Sequence, residues 1–510
     1  MDERSAGLLL HPTSLPGRFG IGDLGPGAER FLDWIAEGGQ AVWQILPLGP
    51  PGFNNTPYTC FSAFAGNHLL VSPERLREDG LLDAEDLRKA PAFPAESVAF
   101  ARVIEWKEEL LRRAWDRFRS RASRALNEAF AAFVEEPDAR VWLEDWVLYS
   151  ALKELFSGRP WPEWPQGFRS RDPRVLSSAR KDLSEEMGFH RFQQFLFNRQ
   201  WGQVREAARR RGVRIMGDMP IYVALDSADV WANPHLFEVD GVGRPMKVAG
   251  VPPDYFSATG QLWGNPIYRW DRIAEDGYAW WIARVRENLK QVDLLRIDHF
   301  RGFAGYWEIP AGEATAVNGA WRPGPGRALF DAIRAALGDL PLVAEDLGHI
   351  TDDVRDLVGD LGLPGMKVLQ FAFTDPRSDH RPDRFGPCTV VYTGTHDNNT
   401  TRGWFAVAGD DERRRALEWL GTSGEEIHWD MIRAAYQSCA FLAIVPVQDV
   451  IGLGAEGRMN EPAKNNGNWA WRALADQLRP DLAARLRALA EGTGRLHAPR
   501  AVGVGDHAGG

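Results

Sequence analysis

Three segments of this chain place carboxylates where an apolar run gives out. In DLLRIDHFRG (293–302), Leu294 and Leu295 lead into Arg296, Asp298, His299 and Arg301. Arg296 and Asp298 are two residues apart, so on an extended strand they point to the same side. A cation there lowers the carboxyl pKa and keeps Asp298 ionised. An ionised carboxylate can attack an acetal carbon. In PLVAEDLGH (341–349), Glu345 follows four largely apolar residues, and partial burial would raise its pKa into the range of a general acid. In VVYTGTHDNNTTRGWF (390–405), a buried run breaks at Gly394 and then offers Thr395, His396, Asp397 and Asn398 as hydrogen-bonding groups. Taken singly, each segment has a plain structural alternative, an ion pair or a satisfied strand-end carboxylate. Taken together, they are the ingredients of a glycosidase. Two carboxyls about 5–5.5 Å apart form the retaining arrangement, and a third can stabilise positive charge in the transition state.

Elements must bring these segments together. Short, nearly continuous apolar runs occur at 7–10, 41–48, 213–221, 294–297, 340–344, 368–373, 389–392 and 441–447. Such runs suit parallel strands buried on both faces. Helical patterns lie between them. Residues 27–37 stop at Gly38-Gly39. Residues 327–337 put Leu329, Ile333 and Leu337 on one face. Thr351 is a good N-cap before Asp352 and Asp353. Eight strands with crossover helices predict an α/β fold, a (β/α)8 TIM barrel whose catalytic groups sit at the C-terminal strand ends. The expected division is a barrel start over 1–59, a mostly helical insertion over 60–212, a third strand within 213–223 and a loop-rich insertion over 224–277. The rest of the barrel follows over 278–492, with a flexible tail over 493–510.

Composition narrows the function. The formal net charge is −10, and there is no long basic run, which disfavours nucleic acid. Cys60, Cys388 and Cys439 match no metal or disulfide spacing, and no metal or cofactor motif is present. No signal peptide or transmembrane run is seen, so a cytoplasmic protein is expected. The 21 Trp residues are mostly core, though some could stack on sugar rings.

Specific motifs add to this. GLLLHPTSLPG (7–17), WQILPLGP (43–50), SAFAGN (62–67), GDMPIYVALDSADVWANP (217–234), GVPPDYFSATGQLWGNPIYRW (250–270), PVQDVIGLGAEGRMN (446–460) and GNWAWR (467–472) accompany the three carboxylate segments. With them the chain resembles the amylomaltases, or 4-α-glucanotransferases, of glycoside hydrolase family 77, from residue 7 to about residue 472. The resemblance implies Asp298 as nucleophile, Glu345 as acid/base and Asp397 as transition-state stabiliser. It implies that Arg296, His299 and His396 contact the donor glucose, and it matches Asp218 to the family's strand-three aspartate. One departure is EPAKNNGNW (461–469), where the family usually carries Pro-Gly, which affects the local loop.

Transfer requires that an acceptor hydroxyl reach the intermediate before water does. Residues 249–268 are suited to this. Pro252, Pro253 and Pro266 stiffen the segment, and Gly250, Gly260 and Gly264 allow tight bends. Tyr255, Phe256 and Trp263 offer stacking faces there, and Asp254 and Gln261 offer hydrogen bonds. Tyr58 is a further stacking candidate. The expected partners are maltooligosaccharides and amylose, starch or glycogen-derived glucans, handled by a monomer without a cofactor. An α-amylase-like hydrolase, and a binding protein on an inactive barrel, are the alternatives. The presence of all three carboxylates disfavours the second.

Overall fold

The computed structural model describes residues 4–253, 257–462, 464 and 466–496. Eight parallel strands form the barrel: β1 (Ser5–Leu9), β2 (Val42–Gln44), β3 (Arg214–Pro220), β4 (Leu294–Asp298), β5 (Leu342–Ala344), β6 (Gly365–Val368), β7 (Thr389–Tyr392) and β8 (Leu442–Pro446). The spatial order is β6-β7-β8-β1-β2-β3-β4-β5. The seam between β5 and β6 is drawn together by Ala344 N–H on the Pro364 carbonyl (2.9 Å) and Met366 N–H on Asp346 Oδ1 (2.6 Å). The fold is the expected (β/α)8 barrel.

The apolar runs look continuous in sequence because both strand faces are buried, and the structure separates the two. Leu9, Val42, Met216, Leu294, Val343, Met366, Val368, Val390, Leu442 and Ile444 fill the barrel interior. Leu8, Trp43, Ile215, Leu295, Ala344, Val391 and Ala443 pack outward on the helices. Interior space is tight at the bottom of β1. A Cβ on Gly7 would lie 2.5 Å from the Val42 carbonyl oxygen and 2.8 Å from Ile444 Cδ1. Only glycine fits there.

Helices Pro26–Glu37 and Arg327–Leu337 lie where the sequence put them, and Ser184–Arg210 falls within the stretch read as mostly helical. Thr351 occupies the N-cap position of Asp352–Leu361, but its hydroxyl makes no capping bond. The sixth strand is a correction. The run 368–373 was expected to be extended, but the strand is Gly365–Val368, and Leu369–Phe373 winds into a 3-10 turn. The Asp346 carboxylate fixes the true start by accepting the Met366 N–H, and an apolar run alone cannot reveal that bond.

The stretch 224–277 was read as loop-rich, yet it supplies two strands of a four-stranded antiparallel sheet. Its order is Gln261–Pro266, Lys247–Val251, Gly305–Pro310, Ala320–Pro323. The last two strands were missed. They are short and hold Trp, Pro and Glu rather than an alternating β-branched pattern, and cross-strand pairs such as Trp307–Trp321 stabilise them instead. Arg495, which the sequence reading put in the flexible tail, is fully buried. It donates to the carbonyls of Ser5, Tyr436, Ser438 and Ala440 at 2.7–2.9 Å. These bonds anchor the segment that follows helix Pro480–Gly492.

Candidate active site

The strand register assembles the site. Asp218 on β3 lies opposite Arg296 on β4, and Pro220 lies opposite Asp298. Ile297 pairs with Ala344 on β5, so Asp298 and Glu345 come next, side by side, where the strands end. Within the barrel the inward positions change upward from aliphatic to charged: Leu294, then Arg296, then Asp298.

Arg296 Nη1 contacts both oxygens of Asp218 at 2.7 Å and Asp298 Oδ1 at 3.0 Å. Asp218 Oδ2 also accepts from the Tyr58 hydroxyl at 2.8 Å. Both oxygens of Asp218 are thus engaged within the protein. Its side chain is 0% exposed and its oxygens are committed, so it holds Arg296 in place.

Glu345 meets a different environment. No cation touches it in the described contacts. Its Oε2 accepts the backbone N–H of His299 (2.7 Å) and its Oε1 that of Leu347 (2.8 Å). The first of these bonds depends on an unusual backbone. His299 is left-handed (φ 53°), a conformation that costs a non-glycine residue energy and turns its N–H toward Glu345. Burial pushes Glu345 up to about 7; the nearby Arg296 charge opposes that rise and the Asp298 charge adds to it. Burial also raises Asp298, but the adjoining Arg296 guanidinium pulls it back. Asp298 is therefore the member of the pair that releases its proton first.

The third segment closes the site. His396 stacks on Tyr58 (centroids 5.0 Å apart), with its Nε2 3.4 Å from Asp397. Asp397 is exposed and accepts from Asn460 Nδ2 at 2.6 Å. Trp469 leans on Tyr58 and His396, at 5.7 and 5.8 Å between centroids. Trp263 meets His299 edge-on at 4.7 Å and donates to Gln261 Oε1 at 3.1 Å. Burial keeps His299 neutral by pushing it down to about 3. Asp298, Glu345, Arg296, Asp218, Tyr58, His396 and Asp397 thus form one connected group, and Trp263 and His299 adjoin it. Gln261 joins only through Trp263. Asp254, Tyr255 and Phe256 lie outside the described residues.

Sequence reasoning gave no role to Asn460 or Trp469, which the structure brings to Asp397 and His396. Their signal was present in the RMN and GNW motifs. It needed a partner residue that only the fold supplies. Among the described residues, no cluster of three or more His, Cys, Asp or Glu is arranged to hold a metal ion.

The geometry has close relatives. The family profile described as 4-alpha-glucanotransferase matches residues 10–476. The 4-alpha-glucanotransferases of Synechocystis sp. and Thermus thermophilus are each 49% identical to this chain, over 97% of it and 99% of their own length. The amylomaltase from Streptococcus agalactiae, solved in complex with acarbose, aligns with a TM-score of 0.94 at 37% identity, over 97% of this chain and 100% of that one.

Proposed function

We propose that this chain, which belongs to the 4-alpha-glucanotransferase family, transfers segments of α-1,4-glucan to the 4-hydroxyl of another glucan or of glucose by double displacement. The ionised Asp298 attacks the anomeric carbon. Glu345 gives its proton to the glycosidic oxygen as that bond breaks, and the leaving glucan departs. Positive charge builds on the ring, and Asp397 offsets it through contacts to the sugar. Glu345, now ionised, takes the proton of the incoming 4-hydroxyl, which displaces Asp298 from the anomeric carbon. Two inversions give net retention. When the 4-hydroxyl belongs to the far end of the same chain, the product is a cyclic glucan.

The observation that carries this reading is the asymmetry of two adjacent carboxyls. A guanidinium lies 3.0 Å from Asp298, while the half-buried Glu345 forms no ion pair among the described residues and takes backbone N–H groups instead. Arg296, His299 and His396 are read as donor-site contacts. The stretch 249–268, which carries Trp263, is read as favouring the acceptor over water. The expected substrates are maltooligosaccharides and larger α-glucans. Within the described residues no helix is long and apolar enough to cross a membrane.

Incubation with maltotriose tests the reaction. Transfer yields glucose and longer oligosaccharides at a constant number of reducing ends, and hydrolysis would raise that number. The covalent route is tested with Glu345→Gln and an α-glucosyl fluoride, whose leaving group needs almost no protonation. An adduct on Asp298 should accumulate and appear in the mass spectrum of the quenched protein. Equal loss of activity on both donors with no adduct would remove Glu345 from this role.

A further inference from the structure

Beneath the carboxylates, one contact of the buried guanidinium has no counterpart in the reaction described above. Arg296 Nε–H donates to the thioether sulfur of Met366 at 3.3 Å. Met366 is fully buried on β6, which is separated from β4 only by β5. It shares the barrel interior with the aliphatic Leu294, Val343, Val368 and Val390 and with Tyr392, whose hydroxyl is engaged with Gln44 Oε1 (2.9 Å). Nη1 is already committed to Asp218 and Asp298. The sulfur is the acceptor that the described contacts give to Nε, and a buried N–H left without one is costly. The sulfur is itself anchored from below. The Met366 N–H is held by Asp346 at 2.6 Å, and a Cβ on Gly365 would lie 2.5 Å from that same carboxylate. The backbone here is closely packed, and the side chain departs from a set point.

We propose that Met366 is a positioning residue of the transfer reaction, whose sulfur fixes the plane of the Arg296 guanidinium so that Nη1 stays on Asp298. This rests on the reading of Asp298 as the attacking carboxylate. Contacts through Nη1 alone leave the guanidinium free to swing about one corner. A second grip at Nε removes that freedom. A thioether does this without adding a charge or a competing donor to the barrel interior.

The charged and titratable groups facing Asp298 are Asp218 on β3, Arg296 on β4, Glu345 on β5, and His396 and Asp397 on the segment after β7. Tyr58 and Tyr392 face Arg296. Of these, Arg296 is the first-ranked influence holding Asp298 ionised, so a loosened Arg296 lets the Asp298 pKa rise. The acid limb of kcat/KM must then move to higher pH.

The test compares Met366→Leu, which keeps the volume and removes the acceptor, with Met366→Gln, which restores an acceptor oxygen. Each is assayed on maltotriose across pH, alongside its Tm. Met366→Leu should lose about three- to tenfold in kcat/KM, the worth of one ordinary hydrogen bond, with its acid limb displaced upward. Met366→Gln should bring the limb back toward the wild-type position. An unshifted acid limb in Met366→Leu, whatever its Tm, means that the sulfur only fills space and overturns the proposal. Asp298→Asn is run in parallel. Activity in that variant would sink the nucleophile assignment itself, whereas an inactive Asp298→Asn with an unshifted Met366→Leu sinks only the role of the sulfur.

Discussion

Glu345 and Asp298 have opposite proton requirements, and their surroundings set the working pH. Asp298 must be ionised, so activity falls as pH drops through its burial-raised pKa. Glu345 must carry a proton for the first step, so activity falls as pH rises through about 7. We expect a bell-shaped profile of kcat/KM on maltotriose with its alkaline limb near that value. In Glu345→Gln assayed on α-glucosyl fluoride the alkaline limb should vanish. Its persistence would point to another group. Asp218 makes a separate prediction about stability. Asp218→Ala removes two of the three carboxylate contacts of Arg296, leaving only Asp298, and should cost about 2–4 kcal/mol in urea unfolding, somewhat less than the loss of a buried charge's sole partner. A loss below about 1 kcal/mol, the level of an exposed pair, would mean that Arg296 finds water there.

At the scale of elements, the segment between β7 and helix Thr401–Val407 carries His396 and Asp397, and one buried carboxylate ties both of its ends. Asp449 accepts from the Thr393 hydroxyl (2.6 Å), and from the hydroxyl and N–H of Thr401 (both 2.7 Å). Asp449→Ala should release the segment and lower kcat by roughly tenfold or more, since three charge-assisted bonds are lost. Hydrogen exchange should speed up across 393–401. Unchanged exchange there would show that the segment holds itself. Asp449 also illustrates what sequence could and could not reveal. The barrel strands were legible because parallel strands buried on both faces leave apolar runs, and Asp298, Glu345 and Asp397 were legible because they end such runs. The sheet of 247–323 was not, because its strands are held by Trp pairs and ion pairs such as Lys247–Glu308 rather than by a repeating pattern. The protein partners of Asp218 were not legible either. Its spacing says only that it faces inward, and the two partners that occupy it, Arg296 and Tyr58, are 78 and 160 residues away in sequence.

For the whole molecule, Arg495 holds the base of the barrel together. Among the described residues its guanidinium has no carboxylate partner and instead satisfies carbonyls from β1, from the end of helix Ile427–Gln437 and from the approach to β8. Arg495→Ala should lower stability by on the order of 3 kcal/mol, since several buried acceptors lose their donor at once. Arg495→Lys should recover only part, because an ammonium cannot reach acceptors spread across a planar fork. Equal stability of the Ala variant and the wild type would show that water replaces the guanidinium. The same bond has a consequence in time. Ser5 is made long before Arg495, yet they touch, and Gly7 pairs with Ile444. On the ribosome, β1 emerges long before its partner β8 exists, so its outer edge must stay unpaired through most of synthesis. The helical insertion can pack early through local contacts, while the catalytic mouth, shared by strands from both halves, is completed only as the last elements arrive.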